Sequence, residues 1–345
     1  MSKIFLISIV LVFVFVSFAH SKEFRQAIES YNWSFPRDHG KHPEFESEWW
    51  YFTGHLETGR QTFGFELTTF RFANPFPEDL KSSWASDQVY LTHFTITDEK
   101  ENKFYKYELL NREVFDFAGA SQEKLKVWNG DYKVEQIGDK LIIKADNSEI
   151  ELNLNLDFNS RIVLNGENGL SQKGQNPGDA SYYYSIPRMI GSGNLKIKDK
   201  SFEINKASVW MDKEFFTIPE SENSGWSWFS IQFDEGATLM VYQIRNKKGE
   251  PTQFSSGTYV DKTGKQHHLT NEDFNLTPLK FWKSPESKTK YPLKWNIKIP
   301  KHNINIVINP VINKQELVLE EFLNINYWEG RCLVSGSNNG QAYME

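Results

Sequence analysis

Cysteine is nearly absent from this chain: Cys332 is the only one in 345 residues. A single thiol closes no internal disulfide, so core burial has to hold the fold. Positive charge is short as well. Against 45 Asp and Glu there are 39 Lys and Arg, for a formal net charge of −6. No dense basic run interrupts this balance, which excludes a nucleic-acid partner that needs clustered cations for phosphates. Beyond residue 18 no apolar run is long enough to cross a bilayer as a helix. There is no G-x-S-x-G elbow, no H-E-x-x-H and no phosphate-binding glycine loop. Neither a cofactor nor a resident metal is expected. Helical periodicity is scarce too. Only 23–31, EFRQAIESY, reads as a short helix.

What is present begins with a leader. Lys3 precedes an apolar run over 4–18, and Ala19-His20-Ser21 offers small residues for cleavage. This pattern predicts a signal peptide over 1–21, cut after Ser21, and hence a periplasmic or secreted protein. The rest is rich in aromatics, at 15% of residues. Short β-type runs recur with turn signals between them. In 149–158, EIELNLNLDF, Ile150, Leu152, Leu154, Leu156 and Phe158 share one face and polar residues take the other. Hairpin turns are expected at Asn129-Gly130, Asp199-Lys200, Asp234-Glu235-Gly236, Lys247-Lys248-Gly249 and Asp261-Lys262-Thr263-Gly264. The fold class is therefore all-β. Two antiparallel barrel domains side by side, 22–214 and 215–345, are expected, with a pair of open sandwiches as the alternative.

The organising stretch is 42–56, HPEFESEWWYFTGHL. As a strand it puts Trp49, Tyr51 and His55 on one face, Trp50 and Phe52 on the other. A strand with two aromatic faces is packed on both sides. Glu48 to Tyr51 are expected to be buried. The loop before it carries Asp38, His39, His42, Glu44, Glu46 and Glu48. It reads as a solvated charged loop, cation binding being the minor alternative. The turn-rich stretch 165–181 is too long for an ordinary connection and leads into Tyr182-Tyr183-Tyr184. In Ser208-Val209-Trp210-Met211-Asp212-Lys213-Glu214, the side chains of Ser208, Trp210, Asp212 and Glu214 share a face and Lys213 points away. Two carboxylates beside an indole make a candidate acid/base pair, since an apolar wall raises a carboxyl pKa. A strand end whose carboxylates merely tie down a loop fits the same pattern. Trp226 and Trp228 share a face with Ser230 and Gln232, and Gln243 shares one with Arg245. Together these clusters suggest an aromatic-walled small-molecule site where the two domains meet.

HPEFESEWWYFTGHLE, GFELTTFRFA (64–73), SYYYSIPRM (181–189), Trp210 to Glu214, GWSWFSIQF (225–233), LMVYQIR (239–245) and YWEGRCLVSG (327–336) occur in this order. With them the chain resembles the AttH/CrtC-like proteins, a group that includes secreted "predicted hydrolases" and the carotenoid 1,2-hydratases. The resemblance covers nearly the whole chain after the leader and implies two lipocalin-like β-barrels. In the hydratase branch the stretch matching 210–212 reads Tyr-x-Asp, the aspartate being the acid. Here it reads Trp210-x-Asp212, so the carboxylate carries over and the tyrosine does not. His-Glu or His-Asn follows in that branch, and Lys213-Glu214 follows here. Relatives continue beyond the position of Glu345 with Leu-Thr-Gly-Tyr, so a frayed last strand or a cut-short sequence is expected. Asp212 and Glu214 are the candidate catalytic residues. Trp49, Trp50, Tyr51, Tyr183, Tyr184, Trp210, Trp226, Trp228 and Arg245 are the candidate ligand-binding residues. The resemblance implies a hydrophobic small-molecule partner, a lipid or isoprenoid. Three functions remain open: hydration of that molecule by acid catalysis, carriage without chemistry, and hydrolysis.

Overall fold

A computed structural model describes residues 23–73, 86–218, 223–319 and 325–345. The stretch 1–21, expected to be a signal peptide, lies outside them. The first sheet contains β1 (Ser47–Glu57), β2 (Thr62–Ala73), β3 (Gln88–Asp98), β4 (Lys103–Arg112), β5 (Ala118–Ala120), β6 (Lys126–Asn129) and β7 (Tyr132–Ile137). It continues with β8 (Lys140–Asp146), β9 (Ile150–Asp157), β10 (Val163–Leu164), β11 (Leu170–Gln172), β12 (Ala180–Ile197) and β13 (Lys200–Phe216). The second holds β14 (Asn223–Phe233), β15 (Thr238–Asn246), β16 (Ser256–Val260), β17 (Gln266–Thr270), β18 (Asn275–Lys283), β19 (Lys290–Ile299) and β20 (Ile304–Pro310). Beyond the separate hairpin β21 (Glu316–Leu319) and β22 (Ile325–Trp328), β23 (Gly330–Gly336) and β24 (Gly340–Met344) complete it.

Every strand pairing is antiparallel. The first sheet runs β4-β3-β2-β1-β13-β12-β9-β8-β7-β6-β5, with β10 and β11 added on β12. It curls until its ends nearly meet. The Asn129 amide on β6 bridges the gap, reaching the Tyr90 carbonyl (3.2 Å) and the Leu109 carbonyl (2.9 Å). A side chain thus does there what strand pairing does elsewhere. The second sheet runs β17-β16-β15-β14-β24-β23-β20-β19-β18 and forms a half-barrel. A nearly closed barrel and a half-barrel replace the alternative of two open sandwiches. All five expected turns fall at strand reversals. Lys198, at φ 54, and Gly130, at φ 59, take the left-handed conformation that tight hairpins need.

Alternation decides what each face buries. On β9, Ile150, Leu152, Leu154 and Leu156 are buried and their neighbours face outward. They join Trp50, Phe52, Phe63, Phe65, Tyr184 and Met211 in the core of the first barrel. The second core gathers Phe229, Ile231, Leu239, Trp295, Ile306 and Cys332. The lone cysteine is a buried free thiol. Gly54 faces the first core at a close approach: a Cβ there would lie 2.5 Å from a Phe65 ring carbon and 3.0 Å from a Val209 methyl. Gly54→Ala should therefore destabilise the protein by about 1–3 kcal/mol, the cost of overpacking, read as a lower denaturant midpoint at unchanged slope.

Two expectations fail locally. Residues 23–31 form no helix. They lie extended against the barrel: Arg25 N–H donates to the Glu44 carbonyl (2.9 Å), and Tyr182 OH donates to the Glu29 carbonyl (2.8 Å). Tertiary partners override a weak helical preference there. The last strand is not frayed, since β24 pairs with both β14 and β23 through Met344. Among the described residues no helix is long and apolar enough to cross a membrane.

Candidate functional site

The site is organised by register. β13 lies between β1 and β12, and Asp212 stands opposite Tyr51 on one side and Ser185 on the other. Two residues on, Glu214 stands opposite Trp49 and Tyr183. The period of two puts both carboxylates on the outer face of the barrel wall, and Lys213 inward as expected. That outer face is covered by the second sheet. Tyr51, Tyr183 and Trp210 from the first pack with Trp228, Met240, Tyr242, Ile244 and Tyr343 from the second. The Trp228 ring meets Tyr51 edge-on at 5.1 Å and Trp210 at 6.4 Å.

Asp212 is 3% exposed inside this aromatic layer. Its Oδ1 accepts from Ser185 Oγ (2.5 Å) and Trp210 Nε1 (2.7 Å). Its Oδ2 accepts from Tyr183 OH (2.5 Å), which also accepts from Trp228 Nε1 (3.1 Å). Burial pushes the Asp212 carboxyl up to about 7. The three donors pull against it and the Glu214 charge adds to it. Glu214 has a different environment. Ser181 Oγ donates to its Oε1, and Lys173 Nζ lies 3.0 Å from the same atom. The Lys173 ammonium also sits over the Tyr242 ring (4.3 Å) and the Tyr183 ring (5.1 Å). Burial works against its charge, but Glu214, with Tyr242 and Asp212 adding to it, holds it above the ordinary lysine range. The two carboxylates thus differ: one is wrapped in neutral donors, the other paired with a cation.

Of the residues singled out from the sequence, Tyr51, Tyr183, Trp210, Asp212, Glu214 and Trp228 come together here. Trp49, half-buried against Phe70 and Phe216, borders them. Trp50 and Tyr184 do not join. Each lies on the inward face of its strand, Trp50 donating to the His39 carbonyl (2.8 Å) and Tyr184 OH bonding His39 Nδ1 (2.6 Å). Trp226 is 54% exposed near the start of β14. Arg245 turns to Ser227 Oγ (2.8 Å) and the Trp226 carbonyl (2.6 Å), away from the β15 face that carries Tyr242. Sequence reasoning missed Lys173 and Tyr242. The signal for Lys173 was the stretch 165–181 itself. Asp179 folds it back, its carbonyl accepting from the Lys173 (2.7 Å) and Gly174 (3.0 Å) amides, and Lys173 is thereby presented to Glu214.

The loop read as solvated is instead a buried ionic network. Asp38, His42, Glu48, Arg71 and Lys213 are all nearly inaccessible. Arg71 Nε contacts Glu48 Oε1 at 2.5 Å, and Lys213 Nζ bonds Glu48 Oε2. His42 lies 3.3 Å from both Glu48 and Asp38 and stacks on Phe215 at 3.7 Å. Burial opposes the charge on Glu48, yet Lys213 and Arg71 hold it well below the usual carboxylate range. Among the described residues no group of His, Cys, Asp and Glu is arranged to hold a metal ion.

The comparisons agree with this architecture. A protein described as an AttH from Nitrosomonas europaea superposes with a TM-score of 0.85 at 28% identity, over 93% of this chain and 98% of that one. Kievitone hydratase from Nectria haematococca superposes with a TM-score of 0.69 at 16% identity, over 94% and 96%. CghA does so at 0.52 and 9% identity, over 94% and 95%. At these last two identities the likeness is one of fold. No curated protein matches. The AttH-like family model matches residues 26–345, and the chain belongs to the AttH-like family.

Proposed function

We propose that this chain is an exported protein that binds an apolar small molecule, a lipid or isoprenoid, between its two barrels and adds water to it by acid catalysis. The observation that carries this reading is Asp212: buried, proton-holding near neutrality and set in an aromatic layer beside a second carboxylate. A carrier has no need of such a pair. The fold likeness to kievitone hydratase supports the reading.

In this mechanism the Asp212 carboxyl gives its proton to one carbon of a double bond. The π electrons form the new C–H bond and leave a cation on the other carbon. Trp210, Trp228 and Tyr183 face that cation, each cation–π contact contributing up to about 2 kcal/mol when desolvated. A water attacks the cation and loses a proton to Glu214, and the proton returns from Glu214 to Asp212. One water is consumed and both carboxyl groups are restored.

The test is to identify the small molecules that co-purify from native membranes and periplasm by mass spectrometry, then incubate them with the protein in ¹⁸O-water. Product carrying one added, labelled water is expected. If no co-purifying lipid gains water, carriage replaces hydration. Binding has its own readout. An apolar fluorescence quencher should quench wild type and Trp226→Phe alike, and lose most of its effect in Trp210→Phe/Trp228→Phe, which removes both indoles of the aromatic layer. Equal quenching in that double variant would put the ligand elsewhere. Export is tested by N-terminal sequencing of the exported protein, which should begin at Lys22; an intact Met1 in the cytoplasm would refute it.

A further inference from the structure

The face of the first barrel that carries Asp212 continues across β1, β2 and β3. Tyr51, Thr53 and His55 on β1 share it with Gly64, Glu66 and Thr68 on β2 and His93, Thr95 and Thr97 on β3. Register sets Thr53 beside Glu66, Glu66 beside Thr95, and Thr68 beside His93. The second half of the chain closes over this patch through hydrogen bonds. Tyr51 OH donates to Glu329 Oε1 (2.5 Å), His93 Nδ1 bonds Tyr327 OH (2.6 Å), and Thr97 Oγ1 donates to Gln315 Oε1 (2.6 Å). Tyr343 reaches down beside them, its hydroxyl 2.5 Å from where a Cβ on Gly64 would be, so only glycine leaves it room.

Between these contacts lies a set of buried polar atoms. Glu66 is 0% exposed, and Thr53, Thr68 and Tyr343 are 1% exposed. The Glu66 carboxyl oxygens and the hydroxyls of Thr53, Thr68 and Tyr343 make no well-formed hydrogen bond among the described residues, although Thr68 and Thr95 lie near enough to Glu66 to pull its pKa down against burial. Folded proteins leave only a few such atoms unmet per hundred residues, and several gathered in one place are commonly met by ordered solvent or a ligand. The ligand is not a cation held by fixed anions. Burial pushes the Glu66 carboxyl up to about 8, and it pushes Glu329 well above the carboxylate range, with Glu66 and Glu345 adding to the shift. Both shifts favour the neutral acid. Nor does Arg331 neutralise them, for its guanidinium turns to Glu99 (2.6 Å) and Gln341 (3.3 Å). Neutral carboxyls and hydroxyls each donate one hydrogen bond and accept others. Their complement is a small uncharged molecule that also does both, which is water.

We propose that Glu66, Thr53, Thr68, Tyr343 and Glu329 enclose a water-binding compartment between the barrels that supplies the water consumed at Asp212. The supply role rests on the hydration reading; the binding role does not. Tyr51 joins the two places. It stands opposite Asp212 in the sheet, its ring meets Trp228, and its hydroxyl ends on Glu329. An apolar site that generates a cation must exclude bulk water and yet admit one molecule. A closed polar compartment next door meets both demands.

High-resolution crystallography of the full chain decides the binding role. Ordered solvent bonded to Glu66, Thr53 and Thr68 is expected. A dry compartment, with the Glu66 oxygens bonded only to protein, overturns the proposal. Kinetics decides the supply role. Thr68→Val is isosteric and Glu66→Leu/Thr68→Val dries the compartment further. Hydration should slow about tenfold or more, the scale of one lost hydrogen bond in a rate, while quencher affinity stays at the wild-type value. An unchanged rate in a folded double variant overturns the supply role. If wild type adds water to nothing, the hydration reading fails with it, and crystallography still decides whether the compartment binds water.

Discussion

Asp212→Asn should abolish hydration while leaving ligand affinity nearly intact. The amide keeps the size and planarity of the carboxyl and can still accept from Ser185 and Trp210 through its oxygen. It cannot release a proton to carbon. Loss of a general acid lowers a rate by about 10²–10⁴. Wild-type turnover by Asp212→Asn would remove Asp212 from the mechanism. The pH profile supplies an independent check. Hydration needs the neutral acid, and burial raises its pKa to about 7. Activity should be high on the acid side and fall as pH rises through about 7. Stability follows the same sign. The folded pKa lies above the unfolded value of 3.8, so stability tied to this proton is fully present below about 3.8 and lost as pH rises through about 7. In Asp212→Asn that part of the pH dependence should vanish, which a series of denaturant midpoints from acid to neutral pH would show.

Much of this arrangement is legible in the sequence. Period-two alternation placed Trp210, Asp212 and Glu214 on one face and Lys213 on the other, because a strand allows nothing else. Turn residues marked the hairpins because only a few residues tolerate positive φ. Alternation could not say which face met which layer. Trp50 and Tyr51 are adjacent and equally aromatic, yet one fills the barrel and the other meets the second sheet. The same ambiguity separated Tyr184 from Tyr183. Exposure of Trp226 depends on its place near the strand end, which composition does not encode. Lys173 reaches Glu214 from a loop forty-odd residues earlier in the chain, a contact created by tertiary folding. The acidic loop before β1 looked solvated because its partners, Arg71 and Lys213, lie far away in sequence.

Glu48 is the residue on which that network turns, and Glu48→Gln should be the most destabilising single change within it. Glu48 is the shared anion of two buried cations, Arg71 through Oε1 and Lys213 through Oε2. Asp38, the other buried carboxylate nearby, is engaged by Arg37 (3.0 Å) and His42 (3.3 Å). Replacing Glu48 by its amide leaves both cations without their anion in a site closed to solvent. Breaking a buried pair in this way costs about 3–5 kcal/mol. The reverse change is milder. Lys213→Met keeps the apolar stem, which lies against the Trp50 ring with Nζ 3.8 Å from its centroid, and Glu48 retains Arg71. Burial already brings the Lys213 pKa down to about 8, so its charge is held at some expense. A loss of about 1 kcal/mol, typical of a volume-conserving swap, is expected for Lys213→Met. In the double variant Glu48→Gln/Lys213→Met, one of the two stranded cations is gone, so it should be more stable than Glu48→Gln alone. Denaturant midpoints at constant slope measure all three. A double variant no more stable than Glu48→Gln would show that Lys213 draws little from Glu48 and that Arg71 alone carries the cost.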